Sequence, residues 1–234
     1  MEFCIITPDR NDRPLLTKHM FFQMERQTVK PQKHYHVNGD PTGPGFDLVT
    51  RVIKGIEQAR ADGFEYCYII ENDDYYPDNY FEHMAFEGAD FVGIPKTIYY
   101  NIMTGDIHPM QHAKNSSLFC TGFKISALKE FKFPPDYLIS LDLDIWQYVH
   151  RYGHKYRYVD FDHPFLPIGI KHGLGMPGGT GHTDGDMIFS DKDDNNRGWL
   201  KARIRPESFE FYKSLSVLYK TQLANKLATK LLKK

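Results

Sequence analysis

A chain of 234 residues, 41% hydrophobic and 25% charged, can bury a sizeable core, which excludes a disordered chain or a small disulfide-stapled scaffold. Its net charge of −1 excludes a strong overall field toward nucleic acid or membrane. The three cysteines, Cys4, Cys67 and Cys120, are odd in number and widely spaced, so they are expected as reduced thiols in a cytoplasmic protein.

Residues 3–7 (Phe-Cys-Ile-Ile-Thr) form an apolar run and read as a buried strand. The run starts so early that no signal peptide is expected before it, and no apolar run in the chain is long enough for an integral membrane segment. The polar segment 8–13 follows. Pro14 suits a helical first turn, predicting a helix to about residue 27. Residues 34–37 read as a second strand, ending in the turn-rich segment 38–45. Leu48, Val52, Ile56 and Ala59 recur at helical spacing, predicting a helix over 46–61 that Gly63 stops. Residues 66–70 are a third buried strand, which breaks off into Glu71, Asn72, Asp73 and Asp74. A helix is expected over 77–84. This alternation predicts βαβ units and a mostly parallel α/β sheet. Ligands of such sheets sit outside the carboxyl ends of the strands, so loops 7–13, 38–40 and 71–74 should line one edge.

The second half is less regular. Strands are expected over 90–94, 117–123 and 156–159, and helices over 126–131 and 142–152. Residues 167–182 read as a glycine-rich loop and 184–197 as a polar, mobile one. Neither a repeat nor a linker divides the chain, so 1–234 is expected to be one domain.

Three carboxylates within four residues repel one another unless a cation or hydrogen bonds offset them. A hard divalent ion with oxygen ligands does so and keeps positions open for a substrate diphosphate. The plain alternative is a solvated acidic turn. Its place at a strand's carboxyl end argues for the metal.

Residues 68–80 (Tyr-Ile-Ile-Glu-Asn-Asp-Asp-Tyr-Tyr-Pro-Asp-Asn-Tyr) resemble the strand and Asp-x-Asp-Asp segment of family 2-like GT-A glycosyltransferases. Other segments match in the same order: residues 5–8 with Arg10, 22–31, 117–128, and 141–146 (Leu-Asp-Leu-Asp-Ile-Trp) with Arg151 and Gly153. The resemblance covers about residues 3–160. It implies a GT-A, Rossmann-like fold, with a mostly parallel central sheet flanked by helices, a nucleotide-sugar half over 1–95, an acceptor and catalytic half over 96–200, and a terminal helix over 206–234. It implies that Thr7 and Arg10 contact the nucleoside and Asn38 or Asp40 the base or ribose. Asp73 would bind Mn²⁺ or Mg²⁺, with Glu71 and Asp74 assisting and Asn72 beside the nucleotide sugar. Asp142 would take the proton from the acceptor hydroxyl, with Asp144 in reserve. Both aspartates are also favoured helix caps. Two positions depart from the family pattern: Glu71 replaces its first Asp, and Leu141 replaces the Glu before Asp142. The second leaves the stereochemical outcome open.

Within the glycine-rich segment, Lys171 offers a charge to phosphates, and His172 and His182 are candidate metal ligands. Such a segment can close over a donor. At the end of the chain, Leu215, Leu218, Leu223, Leu227, Leu231 and Leu232 accompany six lysines. This predicts a basic amphipathic helix that packs its leucines on the domain, lies on an anionic membrane or tracks phosphates. The expected donor is a nucleoside-diphosphate sugar, UDP-linked in preference, and the acceptor a glycan, lipid-linked or free, or hydroxymethylated DNA bases. Two other readings stand: a nucleotidyltransferase, although loop 7–13 lacks the glycines such enzymes use, and a non-catalytic nucleotide- or sugar-binding module.

Overall fold

A computed structural model describes residues 2–39, 47–136, 141–160, 166–173, 189–191 and 197–231. β1 (Phe3–Pro8), β2 (Lys33–Val37), β3 (Tyr66–Ile69), β4 (Phe91–Gly93), β7 (Thr121–Lys124) and β8 (Tyr156–Tyr158) form one sheet in the order β2-β1-β3-β7-β4-β8. The pairs β1–β2, β1–β3 and β4–β8 are parallel, and β7 runs antiparallel to both of its neighbours. This is the mostly parallel α/β sheet flanked by helices that the sequence predicts.

The strand runs are continuously apolar because both faces are covered. On one face Cys4, Ile6, Cys67 and Ile69 pack with Val52 and Ile56 of α2 (Leu48–Ala61) and with Ile145, Trp146 and Val149 of α4 (Leu141–Tyr152). On the other, Phe3, Ile5, Tyr68 and Ile70 meet Met20 and Met24 of α1 (Pro14–Glu25). Gly55 lets α2 lie directly on β1, since a Cβ there would collide with Ile6. Gly63, at φ +82°, ends α2 in the left-handed conformation that glycine takes without strain. All three cysteines are free and buried.

A second sheet has the order β10-β6-β5-β9, from β5 (Lys96–Asn101), β6 (Asp106–Gln111), β9 (Ile168–Lys171) and β10 (Phe189–Ser190). Its core residues Tyr100, Ile107, Ile168 and Ile170 pack with Leu200 of α5 (Gly198–Lys201) and with α6 (Pro206–Leu231).

Several local expectations change. The hairpin β5–β6, turning at Gly105 (φ +78°), was not foreseen. The start of the glycine-rich segment is strand β9, because Ile168 and Ile170 are buried core residues. Within 184–197, residues 189 and 190 form β10, and buried Asp191 accepts hydrogen bonds from Tyr100 and from the backbone of Trp199 and Leu200. The helix over 77–84 shrinks to α3 (Tyr80–His83), residues 118–120 and 125–128 are 3-10 turns, and the strand after the first of these starts only at Thr121. The packed stripe of α6 is aromatic, Phe209, Tyr212 and Tyr219 with Leu215, whereas Leu218 and Leu223 are exposed at 39% and 50%.

Candidate functional site

β1, β2 and β3 end side by side, so the loops after them share one edge. Glu71, Asp73 and Asp74 each offer a ligand atom there, and all these atoms lie within 4.8 Å of one another. Glu71 is half-buried; Asp73 and Asp74 are buried. Burial first, then the charge of Asp73, pushes the Glu71 carboxyl up to about 7. Burial, then Asp73 and Glu71, also raises Asp74 well above the carboxylate range. Asp73 behaves oppositely. Burial works against its charge, but the adjacent Arg13 guanidinium, followed by His172, holds it well below that range.

Neighbouring elements fix the cluster. Arg13 donates to the Asp73 carboxylate, and Nε2 of buried His172, just past β9, lies 3.1 Å from it. The Asp74 carboxylate accepts the Ile170 N–H at 2.8 Å, and its carbonyl accepts the Gln23 side chain at 3.0 Å. Beside it the backbones of Tyr75 and Ile168 pair antiparallel, tying the segment after β3 to β9. α6 covers the same region: the Tyr212 hydroxyl reaches the Asp73 carbonyl at 3.5 Å, and the Tyr219 ring lies 5.9 Å from that of His172. The Lys171 ammonium rests over Tyr99, 4.8 Å from the ring centre, where its charge acts on all three carboxylates.

The donor set suits a hard divalent ion. It offers three converging carboxylates, with His172 on the Asp73 carboxylate and the buried side-chain oxygen of the adjacent Asn72 lacking a hydrogen-bond partner.

The structure brings Glu71, Asp73, Asp74, Lys171 and His172 together. Asp142, half-buried in the first turn of α4, is close enough for its charge to raise Glu71. Burial raises Asp142 itself, against the hydrogen bonds of its own turn's amides. Asp144 lies along α4 on a groove of about 890 Å³ that Lys132, Gln147 and Arg151 also line. The Asn72 side-chain amide is buried and donates to Thr17 at 3.0 Å. Thr7 is buried at the end of β1, its hydroxyl 2.9 Å from His34. Arg10 lies 3.9 and 4.0 Å from the carboxylates of Asp12 and Asp47. Asn38 is exposed just past β2. Asp40 and His182 lie outside the described residues.

Two features went unpredicted. Arg13, at the end of the polar loop after β1, donates to the Asp73 carboxylate; spacing alone does not say which arginine of that loop turns toward the acidic cluster. Beside it Asp9 accepts hydrogen bonds from Thr17 at 2.8 Å and from the backbone of Asn11 at 3.0 Å, with Nε2 of His36 at 2.7 Å. The alternation His34-Tyr35-His36 was the available signal, since it points both imidazoles to one side of β2.

No family model matches the chain, and no curated protein matches it. Among solved structures it is similar to S. aureus TarS 1-349, at 12% identity and TM-score 0.45, covering 73% of this chain and 61% of that one. The chain thus spans about three fifths of that TarS fragment. It is similar to the same fragment in complex with UDP-GlcNAc, at 12% identity and TM-score 0.48, covering 94% and 72%. It is also similar to the mannosyltransferase PcManGT from Pyrobaculum calidifontis in complex with GDP-Man and Mn²⁺, at 12% identity and TM-score 0.48, covering 98% and 80%.

Proposed function

We propose that this chain is a metal-dependent glycosyltransferase, moving a sugar from a nucleoside-diphosphate sugar, UDP-linked in preference, to an acceptor hydroxyl. One observation carries the reading: three carboxylates within 4.8 Å at the carboxyl ends of the parallel strands β1–β3, with a fourth, Asp142, close enough to act on Glu71 electrostatically. Asp73, Asp74 and Glu71, with His172, are the residues that would hold Mn²⁺ or Mg²⁺. When bound, the ion supplies positive charge for the departing diphosphate. Lys171 adds a further cation at the same place. Arg13 supports the Asp73 carboxylate and keeps it ionised, ready as a ligand.

Asp142 then accepts the proton of the acceptor hydroxyl. The acceptor oxygen forms its bond to the anomeric carbon, the bond from that carbon to the diphosphate oxygen breaks, and its electron pair leaves with the nucleoside diphosphate. The groove beside Asp144 gives the rest of the acceptor a place to lie. A glycan, lipid-linked or free, and a hydroxymethylated base both carry the hydroxyl this step needs.

The test is a thermal-shift panel of UDP-, GDP-, ADP- and dTDP-sugars with and without Mn²⁺. One donor should raise the melting temperature in a metal-dependent way, reversed by chelator. A panel without any such shift would overturn the proposal.

A further inference from the structure

Arg13 is the movable member of the acidic site. Its carbonyl accepts the Thr17 N–H at 3.0 Å and the Thr17 hydroxyl at 3.2 Å, so the first turn of α1 fixes its backbone. Its side chain is 20% exposed, which leaves the guanidinium a way out. Asp73 and His172, by contrast, are both buried.

Three atoms set the geometry. Nη1 of Arg13 donates to Oδ2 of Asp73 and lies 3.5 Å from Nε2 of His172. That imidazole nitrogen is itself 3.1 Å from Oδ2. An octahedral ion holds its ligands at about 2.1 Å, so two ligands at right angles stand about 3 Å apart. Oδ2 and Nε2 thus already have the spacing of neighbouring ligands on one ion. An ion bound by this pair meets the Arg13 guanidinium at contact distance, where two cations repel strongly. Arg13 and the ion therefore compete for the same atoms.

A second partner stands on the outside. Nε of Arg13 is 3.5 Å from the Asp12 carboxylate, whose side chain is 42% exposed. The guanidinium can swing outward without losing its counter-charge. Lys171 differs. It rests over the Tyr99 ring and, among the described residues, forms no ion pair with the cluster, so an ion has nothing to take from it. In the proposed reaction the ion also carries a diphosphate. A guanidinium expelled beside that ion meets the phosphates, which its planar fork can hold through two N–H donors.

We propose that Arg13 changes partners: it holds Asp73 before the ion arrives, yields Asp73 and His172 to the ion, and then binds the donor diphosphate. The first exchange rests on the acidic cluster binding an ion, and the second on the glycosyltransferase reading.

The test compares wild type, Arg13→Met and Lys171→Met. Mn²⁺ affinity is read by electron paramagnetic resonance, and UDP and GDP affinity at saturating Mn²⁺ by titration calorimetry. Arg13→Met should bind Mn²⁺ about tenfold or more tightly, and the nucleotide about tenfold or more weakly, than wild type. Damage to the fold would weaken both. Lys171→Met removes the same charge without freeing a ligand atom, so it should tighten Mn²⁺ by about threefold at most. A second measurement needs no variant: Mn²⁺ should speed the modification of wild-type Arg13 by phenylglyoxal about threefold or more, read by mass spectrometry, and the nucleotide should slow it again. Mn²⁺ binding by Arg13→Met no tighter than wild type would overturn the proposal. So would equal tightening by Lys171→Met, Arg13 modification that ignores Mn²⁺, or undiminished nucleotide binding by Arg13→Met. Wild type that takes up Mn²⁺ but neither nucleotide would overturn the glycosyltransferase reading, and with it only the second exchange. Absence of Mn²⁺ uptake by all three chains would overturn both exchanges.

Discussion

The acidic turn after β3 is held from every side, whereas among the described residues the acidic start of α4 is held by little more than its own first turn. Asp73 has Arg13 and His172, Asp74 has the Ile170 amide, and Asn72 has Thr17. Asp142 and Asp144 are half-buried, and among the described residues amides of its own turn are what oppose the effect of burial on Asp142. A carboxylate fixed in place suits a group that must grip an ion, because ligand geometry decides affinity. A carboxylate with fewer restraints and a raised affinity for protons suits a group that must take a proton and give it back.

The largest effect should come from breaking the looser segment. Asp142→Asn removes the base but leaves shape and donor contacts, so transfer should fall by roughly 10²–10⁴, measured as initial rate, while donor-induced thermal stabilisation survives. Equal loss of donor binding would make Asp142 a structural residue. The wild-type rate should also fall on acidification, at higher pH than for an exposed aspartate, because burial raises Asp142 and the base acts only when ionised.

A smaller effect comes from relieving the fixed segment. In metal-free protein, Glu71 is a carboxyl whose folded value is raised to about 7. Its penalty is absent at low pH and grows as pH rises toward that value. Glu71→Gln should therefore raise the metal-free melting temperature by roughly 2–4 °C above pH 7, with the gain vanishing toward the ordinary glutamate value of 4.5. A loss of stability at high pH would mean that the carboxylate is already compensated. The smallest effect is expected for Asp144→Asn, with transfer within about twofold of wild type. A drop matching that of Asp142→Asn would reassign the base.

The βαβ half was legible in the sequence because continuous apolar strands, helical spacing and Gly63 all point the same way there. The acidic turn was legible from its place, since three carboxylates directly follow the carboxyl end of a buried strand, where such sheets bind ligands. The hairpin β5–β6 was not, because Pro109 and the polar residues of β6 obscure its alternation. β9 was hidden by the glycines after it; two buried isoleucines are too short a pattern to outweigh them. Arg13 and the Asp9–His36 pair depend on which way loop and strand side chains turn, which tertiary packing decides. In α6 the expected leucine stripe is replaced by an aromatic one: Phe209, Tyr212 and Tyr219 are buried with Leu215, while Leu218 and Leu223 are exposed.

The most direct test of the metal site is Mn²⁺ binding followed by electron paramagnetic resonance, which reads free ion without any need for donor or acceptor. Wild-type protein should take up Mn²⁺ with one ion per chain, and Asp73→Asn should weaken that uptake about tenfold or more. Equal binding by Asp73→Asn, or no uptake by the wild type, would contradict the assignment of Glu71, Asp73 and Asp74 as the group that holds the ion.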